Sequence, residues 1–436
     1  MPADRVFSGR LVLSIRRLPV HPNLEQLKNQ AKDLLAALQR ADSDAVAEFR
    51  EHHLGLVDDP AKAKLADAQL VLARIYQASS WARLVQGVEL IDAIRADDAE
   101  TVRRLITRNP HLLHEQALIR KDSNWGPPMT YAANLGRDRM IMLLDGWGAK
   151  DHRAALERAV LQSKIDTAKL LSGMLGSAAL PDGLLSGPAY TLSVEGTAFA
   201  LGAGAHLYDD AGKLLAPVNV VLETDGRNPA AKHAILEMYA QSGVVFPDTP
   251  AMALHRGRID LLEEHLRRDP KLLSRTFSHR EIYPAEMGCR DAIDATVGTP
   301  LGGSTLLHMC ADYDEMEIAR WLLDNGMDVD ARSAVGTTGF GGYTALFATV
   351  VSQPNFWMNY GKRGPFVAPF TKLLLDRGAD PNIRAPLWKR LHAGHGDTTR
   401  HEYRDVTPLS WARRFHAPIF VSQLAIELIE AAGGVE

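Results

Sequence analysis

Residues 384–405 hold the densest set of chemistry-bearing side chains in the sequence. His392, His395 and His401 lie among Asp397 and Glu402. Imidazole and carboxylate together suit a transition metal such as zinc or iron(II). The three histidines follow no established ligand spacing, and short His-rich tracts are compositional hints only. No metal ligand is assigned on that basis. The same stretch carries Arg384, Lys389, Arg390, Arg400 and Arg404 beside Trp388 and Tyr403. Arginine forks match carboxylates and phosphates bidentately, so an acidic peptide or a phosphate would find partners there. The bland alternative is a solvated, charged loop.

A second candidate stretch, 274–303, contains Phe277, His279, Arg280 and Tyr283. It also holds Cys289 beside Arg290 and Asp291. A thiol next to arginine, with His279 as base, is the outline of a nucleophile. The sequence does not bring those two side chains together, and no catalytic residue is assigned. Phe356, Trp357, Tyr360 and Phe366 cluster in a third stretch. They either anchor a partner, as Trp and Tyr do at interface hot spots, or fold back onto the core. Gly202-Ala203-Gly204 and Gly302-Gly303 follow no strand and lack the Lys-Ser/Thr ending of a phosphate loop.

These stretches need a frame. The chain has 436 residues, 46% hydrophobic and 23% charged, with a net charge of −4. That is ample apolar material for a core. The acidic balance argues against nucleic acid as the main partner. Two cysteines exclude a disulfide framework and point to a reducing, cytoplasmic compartment. No run approaches the roughly 18 apolar residues of a membrane span, so no membrane partner is expected.

Residues 1–17 read as a basic tail. Residues 18–88 read as an N-terminal helical cap. Asn23 is placed to cap a helix whose Leu24, Leu27, Ala31, Leu34 and Leu35 share one face. Helices at 66–76 and from Ser80 complete it. A cap of this kind shields the apolar end of a stacked array. Residues 89–275 read as divergent repeats and 276–436 as clearer ones. Arg108-Asn109-Pro110-His111-Leu112-Leu113 and Arg268-Asp269-Pro270-Lys271-Leu272-Leu273 are internal echoes of one another.

The clearest repeat is 304–331. Thr305 opens it, His308 and Ala311 sit in a first helix, Leu322 and Leu323 in a second, and Gly326 ends it. It resembles an ankyrin repeat, as do Ala132-Ala133-Asn134-Leu135-Gly136, the finger at 377–382 and Thr407-Pro408-Leu409. The whole resembles bacterial ankyrin-repeat proteins with an N-terminal helical segment. The resemblance implies an all-α fold: an ankyrin-repeat solenoid with irregular long fingers and a helical cap. It also implies that His308 bridges neighbouring turns and that Cys310 is a buried small residue.

Repeat starts at Thr305, Thr344 and Thr407 are 39 and 63 residues apart, against about 33 for one unit. The excess falls at 352–367 and 384–405, and a further insertion occupies 274–303. Loops of this length inside a repeat array are usually functional or disordered. The expected function is a protein- or peptide-binding scaffold using the concave groove and the fingers 274–303 and 384–405. Its binding residues would be His279, Arg280, Tyr283, Trp388, Arg390, His392, His395, His401, Tyr403 and Arg404. The alternative is an enzyme, metal-dependent or not, with a small-molecule pocket under the two long fingers. No cofactor is named.

Overall fold

The computed structural model describes residues 16–19, 21–53, 60–119, 125–176, 180, 183–224, 226–290, 298–351, 368–391 and 397–436. Most of the basic tail, the aromatic cluster at Phe356, Trp357, Tyr360 and Phe366, and His392 and His395 lie outside the described residues, as does Asp291. The chain divides into two compact units. One comprises Met1–Ala159 with Lys164–Ala179, the other Val160–Ser163 with Leu180–Glu436.

The first unit is built from α1 (Leu24–Gln39), α2 (Ser43–His52), α3 (Leu65–Ile75), α4 (Trp81–Arg95), α5 (Ala99–Arg108), α6 (Pro128–Leu135), α7 (Asp138–Gly146), α8 (His152–Leu161) up to Ala159, and α9 (Ile165–Leu175). Local chemistry starts α1 and α4 at the capping residues Asn23 and Ser80. The Asn23 side chain accepts from the Gln26 amide at 2.9 Å, supplying one of the partners that helix starts lack. Leu27, Ala31, Leu34 and Leu38 then form the buried stripe of α1, which packs on α3. Ser80 caps α4 in the same way. That helix runs unbroken through residues 88 and 89, where the sequence reading divides cap from repeats. Gly136 closes α6 at φ +69°, a conformation glycine adopts without a Cβ penalty.

The second unit contains α10 (Ser186–Thr191), α11 (Val194–Gly202), α12 (Pro217–Leu222), α13 (Pro229–Gln241), α14 (Pro250–His255), α15 (Ile259–Arg268), α16 (His279–Ile282), α17 (Leu306–Tyr313), α18 (Met316–Asp324), α19 (Ala345–Val350), α20 (Pro369–Asp376), α21 (Pro408–Arg414) and α22 (Gln423–Ala431). Helices pair as α14 with α15, α17 with α18, α19 with α20 and α21 with α22. The first helices stack in succession, α14 on α17, α17 on α19 and α19 on α21.

Threonines head the stacked pairs. Thr249 and Thr407 accept from the amides of Met252 and Ser410. Thr305 instead engages His308, whose Nδ1 lies 2.8 Å from the Thr305 hydroxyl. The His308 Nε2 lies 2.9 Å from the Tyr343 carbonyl, in the loop before the next pair. Only the Nε2–H tautomer satisfies both contacts, donating to the carbonyl and accepting from the hydroxyl. His308 therefore ties one repeat to the next, as expected. Burial pushes its pKa down to about 4 and keeps it neutral. Cys310 is fully buried in α17.

The finger at 384–405 is not a simple loop. β1 (Ala385–Lys389) and β2 (His401–Val406) pair antiparallel, with Leu387 opposite Tyr403 and Lys389 opposite His401. An irregularity between Ala385 and Leu387 gives β2 one extra residue. Asp405 sits there at φ +50°, a bulge that bends the free edge of the hairpin.

Candidate interaction surface

Successive fingers of the second unit are hydrogen-bonded edge to edge. The Phe277 amide donates to Ser304 O at 2.8 Å, and the Gly303 amide to Phe277 O at 2.7 Å. The Ala334 amide donates to Gly303 O at 2.7 Å, and the Gly341 amide to Pro386 O at 2.9 Å. From Pro386 the row continues through β1 to β2. The two insertions thus stand in one row, separated by a finger at 333–343 that the sequence reading did not single out. That finger absorbs the extra residues between Thr305 and Thr344. Its Val335 is 65% exposed, and Val245 on an earlier finger is 80% exposed.

Five expected residues share the β1–β2 hairpin: Trp388, Arg390, His401, Tyr403 and Arg404. The Arg400 guanidinium lies 4.7 Å above the Trp388 ring and 5.3 Å from that of Phe340. Arg404 sits 4.8 Å from the Phe340 ring on the neighbouring finger. Both arginines also reach Glu402, at 3.1 and 2.9 Å. Arg384 pairs with Asp405 at 3.2 Å. Two carboxylates, Asp405 and the shared Glu402, thus offset part of the positive charge read from the sequence as an anion patch. Arg390 is exposed and donates to the Thr398 carbonyl at 3.1 Å.

Tyr403 points inward. It is 4% exposed, and its ring meets Trp411 edge-on at 4.7 Å. Its hydroxyl accepts from the His416 amide at 3.0 Å and lies 2.7 Å from His416 Nδ1. The His416 ring stacks on His401 at 3.9 Å between centroids. Burial, then the nearby His401, lowers the His416 pKa to about 4. His401 bonds Asp397 at 2.7 Å. The Thr399 amide and hydroxyl, then His401, hold the Asp397 carboxyl down to about 2. These contacts make Tyr403 and His401 the fastening of the hairpin onto the helix layer rather than its contact face.

The insertion at 274–303 also packs inward. Tyr283 is 1% exposed with its hydroxyl on Tyr313. It cannot meet a partner on the outside, contrary to the sequence expectation. His279 Nε2 lies 3.0 Å from Arg290 O, and Arg280 donates to Cys289 O at 3.0 Å. Cys289 is 6% exposed, and burial, reinforced by Glu223, raises its thiol to about 12. That is the opposite of an activated nucleophile. A cleft of about 250 Å³ flanks α16, lined by Asp248, His265, Arg268, Arg275, Phe277 and Glu281 among others. Its charges pair with one another, as His265 and Arg268 with Asp248 and Arg275 with Glu281.

Among the described residues, no group of three or more His, Cys, Asp or Glu side chains is arranged to hold a metal ion. No helix among them is long and apolar enough to cross a membrane.

A buried ionisable cluster escaped the sequence reading. Lys232 on α13 is 2% exposed. Its Nζ lies 2.8 Å from His255 Nδ1, 3.4 Å from Leu222 O and 3.7 Å from the centre of the Tyr313 ring. Burial lowers Lys232 to about 7, against the pull of Glu315. Glu315 is itself engaged by His233 at 2.8 Å. These residues come from α13, α14, α17 and the start of α18. Only the stacking of repeats gathers them, and no local spacing announces them.

With this geometry in hand, comparison with known proteins identifies one element directly. The ankyrin repeat family model matches residues 302–334. The chain carries an ankyrin repeat. That match spans α17, α18 and the start of the finger at 333–343, and the fold is all-α with ankyrin repeats. Among solved structures, the human ASB11 ankyrin repeat domain aligns at 15% identity. The alignment covers 71% of this chain and 99% of that one, with a TM-score of 0.26. No curated protein matches.

Proposed function

We propose that this chain is a protein- or peptide-binding scaffold whose contact surface is the row of fingers in its second unit. The reading rests on one observation: adjacent fingers are hydrogen-bonded edge to edge, which fixes the surface before a partner arrives. A preorganised surface loses little entropy on association. Ankyrin arrays present extended surfaces of this kind. The finer assignment gives Trp388, Arg390 and Arg404, with Val335, the direct contacts. His279 and Arg280 border the surface on the earlier finger. A reducing, cytoplasmic setting accords with two unpaired, buried cysteines. No observation favours the enzyme alternative.

Affinity capture from cell extract tests this reading. Deleting 384–405 would strip Ala385, Leu387 and Tyr403 from the core and confuse binding with folding. Surface substitutions avoid that. Arg390→Glu with Val335→Asp should abolish capture of any partner retained by the wild-type chain, with the circular dichroism spectrum unchanged. Undiminished capture by that variant would refute the finger surface.

A further inference from the structure

We propose that residues 279–290 form a displaceable strap over an anion-accepting site built from Lys232, His255 and Tyr313. In stacked helix pairs, a first helix turns one face to its second helix and another toward the space beside the fingers. Yet every residue of α14 and of α17 is buried. The strap supplies the cover. Ile282 O receives the His255 Nε2–H at 3.0 Å. The Tyr283 ring lies 5.9 Å from His255 and its hydroxyl meets that of Tyr313. Met287 and Cys289 continue the cover, each 6% exposed.

What lies beneath is not an apolar core. The Lys232 amine has three contacts, and all are neutral: an imidazole nitrogen, a carbonyl and an aromatic face. The neighbouring acids are already engaged. Glu315 is held by His233, and Glu223 accepts from Asn219 and from the Arg290 amide. A buried amine whose direct contacts are all neutral is costly to charge, and buried charges are normally paired. A carboxylate or phosphate oxygen would supply the missing charge, with the His255 Nε2–H as a second donor once Ile282 O withdraws. The strap's far end closes on itself through His279 to Arg290 O and Arg280 to Cys289 O, and the Arg290 amide on Glu223 is its tie to α12. Segments held this way open below the free energy of global unfolding. The outer end of the strap, His279 and Arg280, borders the finger surface, but the site beneath it is buried and its test involves no partner protein.

The two cysteines report the opening. Cys289 lies on the strap and Cys310 within α17. Alkylation of the intact protein by iodoacetamide, followed residue by residue by mass spectrometry, should label Cys289 at least tenfold faster than Cys310. Its rate should depend only weakly on urea. Inorganic phosphate, at ionic strength matched with sodium chloride, should accelerate Cys289 labelling about threefold or more. That acceleration should vanish in Lys232→Met, whose folding is checked by circular dichroism. Equal rates and equal urea slopes at the two cysteines would overturn the strap. Phosphate without effect on the wild type, or with the same effect on Lys232→Met, would overturn the anion site.

Discussion

Two buried bases shape how the second unit responds to pH, and they act in different windows. Lys232 is protonated in the unfolded chain up to its ordinary value near 10.5, but only up to about 7 when folded. Between those values the unfolded state binds more protons. Stability must rise with pH across that window and be lost as pH falls toward 7. Denaturant midpoints measured from pH 7 to 9 should climb in the wild type by about 1 kcal/mol per pH unit. Lys232→Met should flatten that slope and match or exceed the wild type at pH 7. His308 works lower. Its folded value of about 4 against 6.5 unfolded means stability drains away as pH falls through that interval. His308→Ala cuts the link between α17 and the Tyr343 carbonyl, which still accepts from the Ser333 amide, and removes the partner of the Thr305 hydroxyl in a dry site. A loss of about 2–4 kcal/mol is expected in urea titration at pH 7, along with a shallower fall of stability between pH 6.5 and 4, to which His416 and His255 still contribute.

At the scale of elements, the row of fingers depends on backbone that only glycine supplies. Gly341 sits at φ +127°, and a Cβ there would lie 2.1 Å from Ala334 O. Its amide makes the bond to Pro386 that joins the middle finger to the hairpin. Gly341→Ala should break that joint at a cost of about 2–3 kcal/mol. Amide exchange should speed up in 333–343 and 385–389 while α17 keeps its protection. The sequence showed some of these elements and hid others for definite reasons. Thr305, His308 and Gly326 are legible because caps and turns are local chemistry. The β1–β2 hairpin is masked because its inward positions include Lys389, 1% exposed, and because Pro386 reads as a loop residue. Pro386 is tolerated since its carbonyl, not the missing N–H, serves the neighbouring finger. The fully buried first helices could not be foreseen either. Their cover comes from insertions distant in sequence, and so does the gathering of Lys232, His255 and Tyr313.

For the second unit as a whole, the stacking of one pair on the next makes stability a matter of neighbours. A pair at the end of the stack has one neighbour, and a pair in the middle has two. Ile429 on α22 and Leu322 on α18 are both fully buried. Truncating either to alanine removes similar apolar volume, at a cost of about 2–5 kcal/mol where the site cannot collapse. The consequences should differ in reach. Ile429→Ala should raise amide exchange in α21 and α22 and leave α14 to α18 near wild-type rates. Leu322→Ala should raise exchange on both sides, in α14 and α15 as well as in α19 and α20, because the interfaces it weakens serve both. Exchange measured by mass spectrometry at matched pH separates the two patterns. An Ile429→Ala effect spread evenly over the whole unit would mean that the unit folds as one cooperative block. Nearest-neighbour stacking would then not be what holds the fingers in their row.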